Sequence, residues 1–329
     1  MDLAPQSVPT GLVMVYMPDR GVGDLMWHLP TLRAIAASTP EGKVLLAARP
    51  SSRARDLLAA EPCVAAVDYL DYRAGTFRHM VELVDFYKLS RARRPRAVWV
   101  LEKIDRPVIG AALAGVPERR GFGLGHGQER WLTHQPFLPR SMRPAHRIEK
   151  LAAFEAAHGL SVASREPALV PVPAAVETLE RDYGPLPRPW IVYGVGASEP
   201  RKRWPIARFG DLGVALDDLG GTRFWLGGFE DAEAVEAVIS GADGRGRDVN
   251  VCRLKLDVGA ALISRADLFI GNDSGPLNVA AAVGTRGLGL FGDTPPLSYS
   301  RYLVPVIGPP GGMAALTVEQ AATAARLSL

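Results

Sequence analysis

Residues 266–296, ADLFIGNDSGPLNVAAAVGTRGLGLFGDTPP, read as a strand, a tight turn, a helix and a second strand. Leu268-Phe269-Ile270 is a short apolar run of the kind a buried strand carries. Asn272-Asp273-Ser274-Gly275 brings turn and N-cap chemistry, Pro276 suits a first helical position, and Leu277–Val283 has the small apolar composition of a packed helix. Gly284 ends that helix, and Leu288–Phe291 resumes a strand. A strand feeding a helix through Asp-Ser-Gly presents backbone N–H groups, two short polar side chains and the helix dipole at the strand's carboxyl edge. Open α/β sheets bind ligands there, and a helix N-terminus favours phosphate. An ordinary capped turn uses the same residues, so local chemistry leaves the two readings level.

The rest of the chain repeats this alternation. Leu12–Met17 is a nearly all-apolar first strand, as expected for a parallel strand covered on both faces. The glycine-bearing loop from Pro18 to Asp24 leads into a helix with Leu25, Leu29, Leu32, Ile35 and Ala36 at three- and four-residue spacing. Pro30 is expected to kink its first turns. Gly21-Val22-Gly23 is only part of a dinucleotide fingerprint, because position 26 is Met. Asp24 has two readings: a first-turn carboxylate favoured by the helix dipole, or a carboxylate at the mouth of the sheet that takes a proton from a substrate hydroxyl. In the second role the dipole lowers its pKa, so accurate placement has to supply the rest. Segments Lys43–Ala48, Arg53–Ala60, Val64–Val67, Phe77–Arg91, Ala97–Leu101 and Pro107–Ala114 continue the pattern of a parallel sheet with crossover helices. Arg91, Arg93, Arg94 and Arg96 form a basic cluster, either a solvated helix end or an attraction to an anionic membrane surface or acidic acceptor. Residues 119–147 are aperiodic and rich in Gly, Arg and His, as in a surface loop over a site, and Glu149–His158 is helical.

Between Ser164 and Pro189 the composition changes: Pro167, Pro171, Pro173, Pro185, Pro187 and Pro189 flank one helical stretch, Ala175–Tyr183. This reads as a linker over 166–189, between an N-terminal domain over 1–165 and a second domain over 190–329. Strand Trp190–Tyr193 runs into Gly194-Val195-Gly196-Ala197-Ser198-Glu199-Pro200-Arg201-Lys202-Arg203. Small residues admit a ligand close to the backbone, and a basic triplet after a glycine turn suits phosphate charge. After helix Ile206–Leu219 and strand Arg223–Leu226, Gly227-Gly228-Phe229-Glu230-Asp231 offers a carboxylate for ribose hydroxyls, or a first-turn acid for helix Ala232–Ile239. Val249–Leu254 and Val258–Ser264 complete the second α/β layer.

The totals narrow the function classes. A chain of 329 residues suggests two domains, and 47% hydrophobic with 22% charged residues is globular composition. A net charge of +3 is too mild to argue for nucleic acid. Cys63 and Cys252 have no metal spacing and read as buried apolar residues of a reducing compartment. No D-x-D carboxylate pair calls for a divalent metal. The start MDLAPQSVPTG lacks a basic and an apolar region, so no signal peptide is expected, and no apolar run reaches bilayer length. The expected location is cytoplasmic, or peripheral on the cytoplasmic face of a membrane.

Three stretches, GDLMWHLPTLRAI, GASEPRKRWPIARF and NDSGPLNVAAAVGTRGLGLFGDT, resemble the signature blocks of the family 9 glycosyltransferases, the ADP-heptose:lipopolysaccharide heptosyltransferases. They occur in the family's order, and the resemblance covers most of residues 12–300. It implies a GT-B architecture: an α/β fold of two Rossmann-like, doubly wound parallel-sheet domains facing a cleft, with the acceptor on the first and the nucleotide sugar on the second. It puts the family's catalytic aspartate on Asp24, its diphosphate lysine on Lys202 and the preceding hydroxyl residue on Ser198. The ribose acid falls on Glu230 or Asp231, and the diphosphate turn on Asp273, Ser274 and Gly275. Asn278 stands where the family usually has His; it donates a hydrogen bond but carries no charge. The resemblance further implies an inverting transfer of a sugar, above all heptose from an ADP-heptose, to a lipopolysaccharide-type or other glycan or glycolipid acceptor. No cofactor and no metal are implied, and the Thr317–Leu327 helix is expected to pack back on the first domain. Two other readings stay open: a nucleotide-sugar epimerase of the same architecture, and a degenerate protein that binds a nucleotide or a partner glycosyltransferase without turnover.

Overall fold

The computed structural model describes residues 10–18, 21–70, 78–241 and 247–329. Residues 1–9, the loop pair Asp19 and Arg20, and Phe77, the expected start of a helix, lie outside them. The chain divides into two compact units, Met1–Arg165 and Glu166–Leu329.

The first unit begins β1 (Val13–Met17), α1 (Val22–Ala37), β2 (Val44–Ala48), α2 (Ala54–Leu57), β3 (Val64–Tyr69) and α3 (Arg78–Arg93). It continues β4 (Ala97–Val100), α4 (Arg106–Leu113), β5 (Glu118–Gly121), α5 (His126–Glu129) and α6 (Arg147–Ala157). Its strands lie in the order β3-β2-β1-β4-β5, every neighbouring pair parallel. The second unit opens with α7 (Pro173–Tyr183), β6 (Trp190–Gly194), α8 (Ile206–Ala215), β7 (Thr222–Leu226), α9 (Ala232–Gly241) and β8 (Arg247–Asn250). Then come α10 (Leu256–Arg265), β9 (Leu268–Asn272), α11 (Gly275–Val283), β10 (Gly287–Phe291), β11 (Leu303–Ile307) and α12 (Val318–Arg326). The order here is β11-β10-β9-β6-β7-β8, again parallel throughout.

Central strands β1, β2, β4, β6 and β9 are buried at every position, which is why they read as unbroken apolar runs rather than alternating ones. Chain direction across the sheet reverses between β1 and β4 in one unit and between β6 and β9 in the other. At such a switch point the loops beyond the strand ends splay apart and leave a crevice. In the second unit the strands that flank the crevice meet through glycine: Gly194 faces Gly271. A Cβ on Gly194 would come 2.4 Å from the Phe269 ring, and one on Gly271 would come 2.8 Å from the Gly194 carbonyl. Trp204, Phe209, Tyr193 and Trp225 pack edge-to-face or tilted beneath this region, with centroids 4.9 Å apart for Trp204–Phe209 and 5.4 Å for Tyr193–Trp225.

The structure departs from the sequence expectations in several places. Helix α1 runs through Pro30 as one segment. The stretch from 119, expected as loop, opens with edge strand β5, whose sequence Glu-Arg-Arg-Gly hides its pairing with β4. Arg120 lies over the Trp99 ring, 4.7 Å from its centroid, and Phe122 and Leu124 are buried. Strand β11 had no signal because Pro305 interrupts it, which an edge strand tolerates. Residues 166–189 belong to the second unit: Leu179 of α7 is fully buried, and Glu180 pairs with Arg265 of α10 at 2.7 Å. Helix α12 lies against α8 within the second unit, with Ala321 and Ala325 in that core. Of the basic cluster, Arg93 forks onto Asp68 at 2.6 and 2.7 Å and Arg96 onto Glu41 at 2.7 and 2.8 Å. Both cysteines are buried and free; burial pushes the Cys63 thiol up to about 12 and the Cys252 thiol up to about 11. Among the described residues no helix is long and apolar enough to cross a membrane.

Candidate active site

In the first unit the loops after β1, β2 and β4 border an open pocket of about 460 Å³. Pro18, Asp24, Arg49, Glu102, Lys103, Ile104 and Arg106 line it. Asp24 is the third residue of α1, and its Oδ2 accepts a hydrogen bond from the Gly21 amide at 3.2 Å. The first-turn role is therefore real, and the same geometry presents the carboxylate to the cavity. Arg106 is held from behind: its Nε donates to Glu82 Oε2 at 2.6 Å, and the Tyr16 hydroxyl donates to Glu82 Oε1 at 2.9 Å. Glu102 pairs with Arg147. Burial alone would raise the Glu102 carboxyl, but Arg147 and the Lys103 amide hold it below the usual range. Gln128 fixes this loop by donating to the carbonyls of Glu102 at 2.7 Å and Ile104 at 2.9 Å.

In the second unit the turns after β6, β7 and β9 carry the other candidates. Lys202 ends a short 3-10 turn, Pro200–Lys202, and its Nζ lies 2.8 Å from Asp273 Oδ2 and 3.4 Å from Glu199 Oε1. Burial pulls the ammonium down, yet the Asp273 hydrogen bond and the charges of Asp273 and Glu199 outweigh it and leave its pKa raised. This pair sits across the β6/β9 switch point, beside the N-terminus of α11. Ser274 is the N-cap there without a side-chain cap bond, and its Oγ is buried with no hydrogen-bond partner among the described residues. Ser198 is exposed on the β6 turn. Asn278 is only 4% exposed, and its amide works at both ends: Nδ2 donates to the Ser274 carbonyl at 3.0 Å, and Oδ1 accepts from the Tyr299 hydroxyl at 2.7 Å. Glu230 and Asp231 differ sharply, with side chains 70% and 8% exposed. Asn272, which carried no functional expectation, is fully buried and ties the turns together: Oδ1 accepts from the Trp204 amide at 2.9 Å and Nδ2 donates to the Val195 carbonyl at 2.7 Å.

The profile of glycosyltransferase family 9 (heptosyltransferase) matches residues 117–306. The chain belongs to glycosyltransferase family 9. Among relatives of this glycosyltransferase, lipopolysaccharide heptosyltransferase 2 of Escherichia coli strain K12 is 26% identical over 313 residues, covering 87% of this chain and 86% of that protein. A family 9 glycosyltransferase from Veillonella parvula superposes with a TM-score of 0.79 at 18% identity, covering 96% of each chain. The ADP-heptose lipopolysaccharide heptosyltransferase II of E. coli superposes with a TM-score of 0.77 at 21% identity, covering 96% of this chain and 98% of that one. The two parallel sheets match the GT-B-like fold of these structures.

Arg49, Lys103, Arg106 and Gln128 escaped the sequence reading because their loops are far apart in the chain. A rule that scans the residues just past every predicted parallel strand would have collected Arg49, Glu102 and Lys103.

Proposed function

We propose that this glycosyltransferase is an inverting enzyme that transfers heptose from an ADP-heptose to an acidic lipopolysaccharide-type acceptor. The names of its relatives support the donor and the acceptor class. The carrying observation is the Lys202–Asp273 pair at the mouth of the β6/β9 crevice, next to the open N-terminus of α11. A diphosphate entering there meets a cation, the Ser274 hydroxyl and the first N–H groups of the helix, which also stabilise the charge of the departing diphosphate. Glu230, the exposed acid of the β7 turn, accepts from the ribose hydroxyls.

Asp24 acts as general base. It takes the proton of an acceptor hydroxyl; that oxygen bonds to the anomeric carbon as the bond to the diphosphate breaks, inverting the centre. Arg49, Lys103 and Arg106 give the surrounding cavity the charge that an acidic acceptor needs. The reaction is placed in the cytoplasm, at the inner membrane when the acceptor is a glycolipid, and it requires no divalent metal.

Calorimetric titration of ADP, UDP and GDP into the wild type and Lys202→Ala tests the assignment. The expected result is a preference for ADP, with affinity reduced about 10- to 100-fold in the variant, the range for one charge-assisted hydrogen bond. A preference for UDP or GDP would move the donor to another nucleotide. No binding at all would point to the non-catalytic reading.

A further inference from the structure

Arg203 follows the Lys202 turn and joins two loops that are remote in sequence. Its Nε donates to the Ala197 carbonyl at 2.8 Å, in the turn after β6. Its Nη1 donates to Asp231 Oδ1 at 2.7 Å, in the turn after β7, and its Nη2 lies 3.9 Å from Glu230 Oε1. Asp231 is 7% exposed, and its Oδ2 accepts from the Gly228 amide at 2.8 Å. The packing around that oxygen is tight enough that a Cβ on either Gly196 or Gly227 would come within 2.8 Å of it. A carboxylate so enclosed depends on its partner, and removing the partner would leave a buried charge uncompensated.

We propose that Arg203 is the positioning residue of the nucleotide half-site, clamping the β6 and β7 turns at a fixed separation through Ala197 and Asp231. This rests on the nucleotide reading above and refines it. Asp231 belongs to the clamp, and Glu230 is the acid that faces the ligand. The planar guanidinium fork serves both turns at once, which a lysine ammonium on its flexible stem cannot do. Residues 202–204 thereby hold three neighbouring strand ends: Lys202 and Trp204 reach the end of β9 through Asp273 and Asn272, and Arg203 reaches the turns beyond β6 and β7.

The test uses full-length Arg203→Lys, Asp231→Asn and their double variant, with Arg203→Ala and Lys202→Ala for chemical rescue. ADP affinity should fall about tenfold in each single variant, and the donor KM should rise with kcat nearly unchanged. The double variant should lose no more than the weaker single one, because both break one contact. Guanidinium ion should restore ADP binding to Arg203→Ala and not to Lys202→Ala. Hydrogen exchange at the Gly228 amide, which Asp231 holds, should accelerate in Arg203→Lys without ligand. Wild-type ADP affinity in Arg203→Lys, additive losses in the double variant, or a fall in kcat at constant KM would each overturn the proposal. If the wild type binds no nucleotide, the nucleotide reading fails by itself. Unchanged exchange at Gly228 then overturns the clamp independently.

Discussion

At the scale of single residues, the two units solve one problem with different chemistry. Asp24 and Lys202 each stand just past a central strand of a parallel sheet, one placing a carboxylate there and the other an ammonium. Asp24→Asn keeps the size of the side chain and can keep the Gly21 contact while removing the basic oxygen. Its turnover in excess chelator should fall by about 10²- to 10⁴-fold, the usual worth of a general base, while ADP affinity stays at the wild-type value. Steady-state kinetics beside calorimetry check this, and a loss of ADP affinity in step with kcat would remove the base assignment. Asp24, Lys202 and the 273–275 turn stood out in the sequence because each sits in a contiguous block just past an apolar strand. Asn278 was legible as a position but not as a role. Its amide dipole is spent on the Ser274 carbonyl and on Tyr299, a residue 21 positions away. Arg203 was read with Lys202 as phosphate charge, and only the fold reveals that its fork is turned toward a buried acid.

At the scale of elements, the glycine pair on β6 and β9 decides how close two strand ends approach. Gly194→Ala forces a methyl into the Phe269 ring, and the resulting overpacking should cost about 1–3 kcal/mol. Melting should show that loss, and ADP binding should weaken with it because the β6 turn is displaced. A variant that melts at the wild-type temperature would show that the ring yields freely. The strands whose faces are both covered were plain in the sequence, since no charged residue interrupts them. Edge strands β5 and β11 were hidden for the opposite reason: Arg119, Arg120 and Pro305 are allowed only because one side of each strand lacks a partner. The packing of α7 and α12 was equally hidden. Their apolar stripes state that something covers them without stating which unit does so.

At the scale of the whole molecule, stability should depend on pH through the first unit. His158 lies against Phe154, with centroids 4.3 Å apart, and its pKa is driven down from 6.5 to about 4, chiefly by burial. The charges of Arg120 and then His134 contribute to that lowering, and Glu118 opposes it. The folded state therefore binds this proton less readily than the unfolded chain does. The stabilisation is complete above pH 6.5 and is lost as pH falls toward about 4. Melting temperatures of the wild type should drop across that window, and His158→Leu should flatten the drop; equal slopes would sink the assignment. The cysteines lead to a different kind of consequence. Both native thiols are enclosed and scarcely ionised at neutral pH, so they are poor targets for maleimides and iodoacetamides. The wild-type chain is thus a ready-made blank for site-selective bioconjugation. A single Ser198→Cys substitution, on the exposed β6 turn, should take up one environment-sensitive dye per molecule with Cys63 and Cys252 left in place. Its emission would then turn nucleotide arrival into an optical signal, and mass spectrometry after labelling, with one adduct expected and none on the wild type, checks the premise.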